Sequence, residues 1–203
     1  MNWELKMPID EKLCLRVIED NLLAAKAYLA SYLAAPDYHQ PILQAITAMA
    51  KSLESRGRIY SCGNGGSMCD AMHFAEELSG RFRETRRAYA AIAISDPGYI
   101  SCVANDFGYE QIFSRFLEGH GNPGDVLLAI STSGKSPNVV RAAQTAKSLG
   151  MKVIALTGNS NSGLHRDADI GIATPAHPYA DRIQEVHIKI IHALIDGIEQ
   201  SLR

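Results

Sequence analysis

A strong charge of one sign, a disulfide-forming density of cysteine and long apolar runs are all missing from this chain. Each absence closes off a class of protein. The formal net charge is -2 over 203 residues, which gives no electrostatic case for nucleic acid or an anionic membrane as a partner. No stretch approaches the ~18 consecutive apolar residues of a membrane span. Met1–Glu11 is mixed polar without the apolar centre of a secretory signal, so the expected location is cytoplasmic. Cys14, Cys62, Cys69 and Cys102 are too few and too scattered for a disulfide scaffold. Cys62 and Cys102 lie in apolar stretches and are expected as buried free thiols, in keeping with a reducing compartment. Internal repeats, low-complexity segments and long linkers are absent. What remains is 46% hydrophobic and 21% charged, which fits one globular domain large enough to bury its core.

Helical spacing governs the first quarter of the chain. Leu13, Val17, Leu22, Ala25 and Leu29 predict a helix over 10–34, and Ile42, Leu43, Ile46, Met49, Ala50 and Leu53 a second over 39–55. The short break Ala35-Pro36-Asp37 predicts an antiparallel hairpin. Leu22, Leu23, Tyr28, Tyr32 and Leu33 exceed what one apolar stripe needs. They call for burial on several sides, against the chain's own core or a second subunit.

From Arg58 the texture changes to short apolar runs at 58–62, 90–95, 126–131, 152–157 and 169–173, the first four ending in turn residues. Helical patterns lie between or after them at 67–79, 109–118, 137–148 and 180–202. Nearly continuous apolar strands alternating with helices predict a parallel sheet covered on both faces. Ligands of such sheets bind outside the carboxyl ends of the strands, where Ser61–Ser67 and Ser131–Ser136 fall.

Two of these turns carry candidate chemistry. Gly63-Asn64-Gly65-Gly66-Ser67 opens a helix that places His73 and Glu77 on one face, four residues apart. Its glycine spacing is not G-x-G-x-x-G, so its likeness to a dinucleotide fingerprint is superficial and dinucleotide binding ranks low. Asn64 offers an amide donor and acceptor suited to a sugar hydroxyl. Ser131-Thr132-Ser133-Gly134-Lys135-Ser136 follows a strand and precedes Pro137, a residue favoured in the first helical turn. One serine there would be a helix cap; four hydroxyls with a glycine favour a phosphate at the helix N-terminus.

In the last helix, Gln184, Glu185, His187 and His192 stand among isoleucines and must find partners. His187 and His192 differ by about 140° around the axis, and spacing alone does not choose between them. Asn105-Asp106 reads as an N-terminal signal for the following helix or as a polyol contact. Asp181 falls near the positive end of the last helix. Arg81, Arg83, Arg86 and Arg87 read first as solvated surface, second as a substrate or subunit contact.

These residues resemble the sugar isomerase (SIS) domain family, and within it the isomerases of seven-carbon sugar phosphates. The resemblance rests on Ser61–Ser67, Cys69–Leu78, Ile94-Ser95-Asp96, Gly124–Leu128, Ile130–Gly134 and Ala180–Lys189, and extends over nearly the whole chain. It implies a single domain over 1–203, a three-layer flavodoxin-like α/β fold with a central five-stranded parallel sheet. Residues 1–56 would be helices used in oligomer packing, and 57–203 the α/β core with its C-terminal helix. A homotetramer is implied, with active sites between subunits.

The implied reaction is an aldose–ketose isomerisation of D-sedoheptulose 7-phosphate to D-glycero-D-manno-heptose 7-phosphate. That step opens nucleotide-activated heptose synthesis for lipopolysaccharide core or surface glycans. Carried over residue by residue, the substrate contacts fall on Asn64, Gly65, Gly66, Glu77, Asn105, Asp106, Ser131, Thr132, Ser133, Ser136 and Gln184. One zinc per subunit would be held by His73, Glu77, Gln184 and His192, with Glu77 and His192 as the acid–base pair. His165 and the Asn159–Gly163 loop are expected to stand away from the ligand. The alternative is a non-catalytic tetrameric regulator of the same fold that binds the bacterial replication initiator, which departs from the isomerase pattern at the positions of Glu77 and His192. A sugar-phosphate-sensing transcription regulator would carry a DNA-binding segment, and none accompanies this sequence.

Overall fold

Five strands align in parallel into one sheet, in the order β2 (Ala91–Ala93), β1 (Ile59–Cys62), β3 (Val126–Ser131), β4 (Lys152–Thr157) and β5 (Ile170–Ala173). The computed structural model of the chain describes residues 9–203; most of the polar Met1–Glu11 segment lies outside the described residues. The expected strands are all present. Side chains of a strand alternate between faces, and β3 accordingly feeds two cores. Val126, Leu128 and Ile130 enter one, Leu127 and Ala129 the other.

The first core is covered by α1 (Glu11–Leu33), α2 (His39–Glu54), α3 (Gly66–Ser79) and α8 (Ala180–Ser201). The second is covered by α4 (Pro97–Phe107), α5 (Ile112–His120), α6 (Pro137–Ser148) and the short α7 (Gly163–Asp167). This is the three-layer α/β sandwich, but the expected antiparallel hairpin is corrected: α1 and α2 each pack against α8 rather than against one another. The order reverses between β1 and β3, so the turns after them flank the crevice where such sheets bind ligands.

Three further expectations are corrected. Asp96-Pro97-Gly98 is not only a turn: Asp96 accepts from the Tyr99 N–H at 2.6 Å and Pro97 occupies the first turn, so a helix starts there. Asn105 and Asp106 therefore end a helix rather than begin one. Cys102 lies on the outer side of that helix and is exposed, whereas Cys62 is buried and its thiol pushed up to about 12 by burial.

The α1 helix is tied down by Tyr28, whose hydroxyl donates to the Pro175 carbonyl at 2.5 Å, and by Arg182, which donates to the Asn21 carbonyl at 3.2 Å. Only Tyr28 and Tyr32 of α1 are buried, while Leu15, Ile18 and Leu22 form an exposed apolar stripe.

The α8 helix buries Ile183, Val186, Ile190, Ile191, Leu194, Ile195 and Ile198. Each such side chain is worth about 1.5–3 kcal/mol, ample to absorb the cost of His187. That imidazole is fully buried, neither ring nitrogen makes a well-formed hydrogen bond among the described residues, and burial, only partly offset by the nearby Thr157 main chain, lowers its pKa to about 4. An unfolded histidine titrates near 6.5, so protonation favours unfolding between these values. The contribution is complete above about pH 6.5 and lost as pH falls towards about 4. It amounts to about 3 kcal/mol. Urea unfolding across that range should show His187→Leu losing less stability with acid than the wild type; equal slopes would assign the acid sensitivity elsewhere.

Candidate active site

Glycine at 65 makes the first turn possible. Its φ of 54° lies in the left-handed region, and α3 starts immediately after it with no side-chain cap. The Asn64 carboxamide pairs reciprocally with Asn138 at the start of α6: Asn64 Nδ2 donates to Asn138 Oδ1 at 2.9 Å and Asn138 Nδ2 donates to Asn64 Oδ1 at 2.8 Å. Tyr109 also donates its hydroxyl to Asn64 Oδ1 at 3.1 Å. These bonds lock the β1 turn to the β3–α6 turn across the crevice. Sequence reasoning missed both Asn138 and Tyr109; a polar residue just inside a helix start was the only local signal for Asn138.

The serine-rich turn is folded around its own hydroxyls. Ser131 Oγ lies 3.1 Å from Ser136 Oγ and accepts from the Gly134 N–H at 3.2 Å. Ser136 occupies the N-cap position of α6 without making a side-chain cap, so the simple capping role is not taken. Gly134 has φ 63°, and a Cβ there would sit 2.1 Å from Ser162 Oγ.

Gly158 donates to the Thr132 carbonyl at 2.9 Å and draws the end of β4 against the loop. A cavity of about 410 Å³ opens here, with Thr132, Ser133, Lys135, Asn159 and His177 in its lining. Asn159 thus lies on the cavity. Asn105 and Asp106 are exposed at the end of α4, in the stretch leading to Tyr109.

Two turns along α3 lies the second centre. His73 Nε2 faces His192 Nε2 of α8 at 3.0 Å, and Glu77 Oε1 lies 3.8 Å from His73 Nε2. Glu76, which sequence reasoning passed over, holds His73 Nδ1 at 3.1 Å. A proton on Nδ1 answers that carboxylate and leaves the Nε2 lone pair directed at His192 and Glu77. Burial first, then the facing His73 and the cations Lys189 and Arg83, lower the His192 pKa, which favours a neutral imidazole. Asp70, on the same side of α3, is buried; burial raises its carboxyl to about 6, partly offset by His73.

Packing chooses between the two histidines of α8: His187 turns into the core and His192 into the site. Gln184 stands about 12 Å from His192 along the helix, its carboxamide against Gly66. Within one chain the structure therefore groups His73, Glu77 and His192, and places Gln184 over the glycine turn. Imidazole nitrogens and a carboxylate are the donors that zinc takes. The 3.0 Å separation of the two ring nitrogens, beside Glu77, fits that donor set.

A family model for the SIS domain matches residues 25–158. A phosphoheptose isomerase of Cytophaga hutchinsonii is 57% identical over 91% of this chain and 97% of its own length, and one of Tolumonas auensis is 53% identical over 92% and 97%. The chain belongs to the SIS domain family. Its fold matches the solved phosphoheptose isomerase of Francisella tularensis, with TM-score 0.82 and 36% identity, covering 95% of this chain and 100% of that one. The Neisseria gonorrhoeae isomerase gives 0.81 and 36%, covering 93% and 99%.

Gly134→Ala tests the SIS-domain serine loop. A Cβ there collides with the Ser162 side chain and forces the loop to shift, so binding of inorganic phosphate should weaken by roughly tenfold. Calorimetric titration showing unchanged affinity would remove the loop as the anion site.

Proposed function

We propose that this SIS-domain protein is an aldose–ketose isomerase that converts D-sedoheptulose 7-phosphate to D-glycero-D-manno-heptose 7-phosphate. That step would supply nucleotide-activated heptose for lipopolysaccharide core or surface glycans. The observation that carries the reading is the meeting of His73, Glu77 and His192 beside the crevice, in a chain whose relatives above half identity are named phosphoheptose isomerases. Nothing in the site or in those relatives supports the replication-initiator regulator.

The site has two ends. Ser131, Thr132, Ser133 and Ser136 hold the phosphate at the start of α6, where the helix dipole favours an anion. Asn64, Gly65, Gly66, Gln184, Asn105 and Asp106 supply contacts to the polyol. Moving a proton between C1 and C2 through an enediol needs a base at carbon and an acid–base group at oxygen. Glu77 takes a proton from one carbon, exchanges it with solvent while the enediol stands and then protonates the other carbon, and His192 shuttles the hydroxyl proton. His73 stays oriented by Glu76. His73, Glu77 and His192 would hold one zinc ion, with Gln184 as the expected fourth ligand only once its carboxamide leaves the glycine turn; the ion when bound would supply Lewis-acid polarisation of a carbonyl.

The exposed stripe of Leu15, Ile18 and Leu22 supports a homotetramer packed through the N-terminal helices. Among the described residues no helix is long and apolar enough to cross a membrane, and we place the enzyme in the cytoplasm.

Glu77→Gln and His192→Gln should each lower turnover by at least ~100-fold, with the assembly intact by light scattering. Aldose formation from sedoheptulose 7-phosphate is the assay. Wild-type inactivity both with and without added zinc would sink the enzyme reading. Leu15→Glu combined with Leu22→Glu should convert the tetramer to smaller species in sedimentation; an unchanged tetramer would clear the α1 stripe of that role.

A further inference from the structure

We propose that Arg86 and Glu199 form a positioning device that fixes the register of Glu77 against His192. The inference rests on the acid–base reading above. Arg86 is not the solvated cation its sequence neighbourhood suggests. Its side chain is 12% exposed and its Nε donates to Oε1 of Glu199, 2% exposed, at 2.7 Å. Nη2 donates to the main-chain carbonyl of Glu77 itself at 2.7 Å, and Nη1 to the carbonyls of Leu78 and Gly80 at 2.9 and 3.0 Å. Glu77 and Leu78 belong to the last turn of α3, where the helix leaves its carbonyls without partners of its own. The guanidinium also stacks on Tyr89, 4.4 Å from the ring centre.

Glu199 completes the link. It follows His192 by seven residues, which places both within about 20° on one face of α8 and about 10 Å apart along it. One guanidinium therefore joins the backbone of the base to the helix that carries its partner. The His73–His192 contact joins the same two helices about 10 Å away. Two tie points along one axis fix both the slide and the roll of α3 against α8.

Glu199 Oε2 is buried without a hydrogen-bond partner among the described residues, so the carboxylate's hydrogen bond to Arg86 is the one that answers its charge. A buried ion pair adds little net stability over apolar residues of similar size, whereas a planar guanidinium fork fixes direction as well as distance. The nearby Arg83–Asp196 pair, with Arg83 62% exposed, is a surface contact that water and salt weaken. What the buried pair supplies is geometry.

The test uses the full chain carrying Arg86→Lys, or Arg86→Met with Glu199→Leu. The paired apolar change removes both charges and keeps the variant foldable if the single change is not. Turnover, KM for sedoheptulose 7-phosphate, thermal midpoint and zinc affinity by competition with a chromophoric chelator are measured together. Arg86→Lys should lower kcat roughly tenfold to hundredfold and leave KM within about twofold, because the phosphate loop stands on other elements. The double variant should show the same kcat loss when assayed at a temperature where it is fully folded, its midpoint lowered by the loss of the bonds to the Glu77, Leu78 and Gly80 carbonyls. Zinc affinity should fall by about tenfold or more in both.

Wild-type kcat in the folded double variant would overturn the device, as would a kcat loss in both variants that only tracks the folded fraction. If the wild type itself does not isomerise the sugar, the functional reading fails and the zinc measurement decides the device separately. Unchanged zinc affinity in both variants would then refute it.

Discussion

His73 and His192 come within 3.0 Å of each other because α3 and α8 bury their apolar stripes on the same face of one sheet. Phe74, Ala75 and Leu78 of α3 and Ile191, Leu194 and Ile195 of α8 belong to a single core with β1, β3 and β4. That packing is non-directional and strong; it brings the helices together without setting their register to a fraction of an ångström. The polar contacts between them supply the register, and proton transfer depends on it. The His73–Glu77–His192 group is thus a property of one helix pair, while the serine turn belongs to the opposite side of the β1–β3 crevice. The paired carboxamides of Asn64 and Asn138 hold these two halves together.

The division suits a long, phosphorylated polyol. In the proposed reading one end of the ligand would meet hydroxyls and free N–H groups at a helix start, and the other titratable groups on helix sides. The histidine fates on α8 follow from the same packing. His187 faces the sheet and is held neutral by burial, and His192, five residues on, faces α3. Burying His187 makes the fold sensitive to acid in exchange for a nearly continuous apolar stripe along α8.

Much of this was legible in the residues. The strands were readable because parallel strands buried on both faces are nearly unbroken apolar runs, and Val126–Ser131 and Lys152–Thr157 emerge as expected. The α4 helix was not, because Pro97-Gly98 has the composition of a turn while acting as a helix start behind Asp96. Arg86 was misread for a different reason. Its partner Glu199 is 113 residues away, and no local pattern distinguishes a buried arginine from its solvated neighbours. Asn138 and Tyr109 escaped likewise, since their importance lies in a contact across the crevice. The choice of His192 over His187 came from family resemblance, and the packing of α8 gives it a physical reason.

The central claim is that Glu77 and His192 move protons through an enediol rather than passing hydride directly between carbons. Isomerisation in deuterium oxide, followed by mass spectrometry and NMR of substrate and product, tests it most directly. The account predicts deuterium at C2 of the aldose, formed by the wild type and lost together with turnover in Glu77→Gln. Full conversion with no deuterium in either the aldose or the recovered ketose would contradict it.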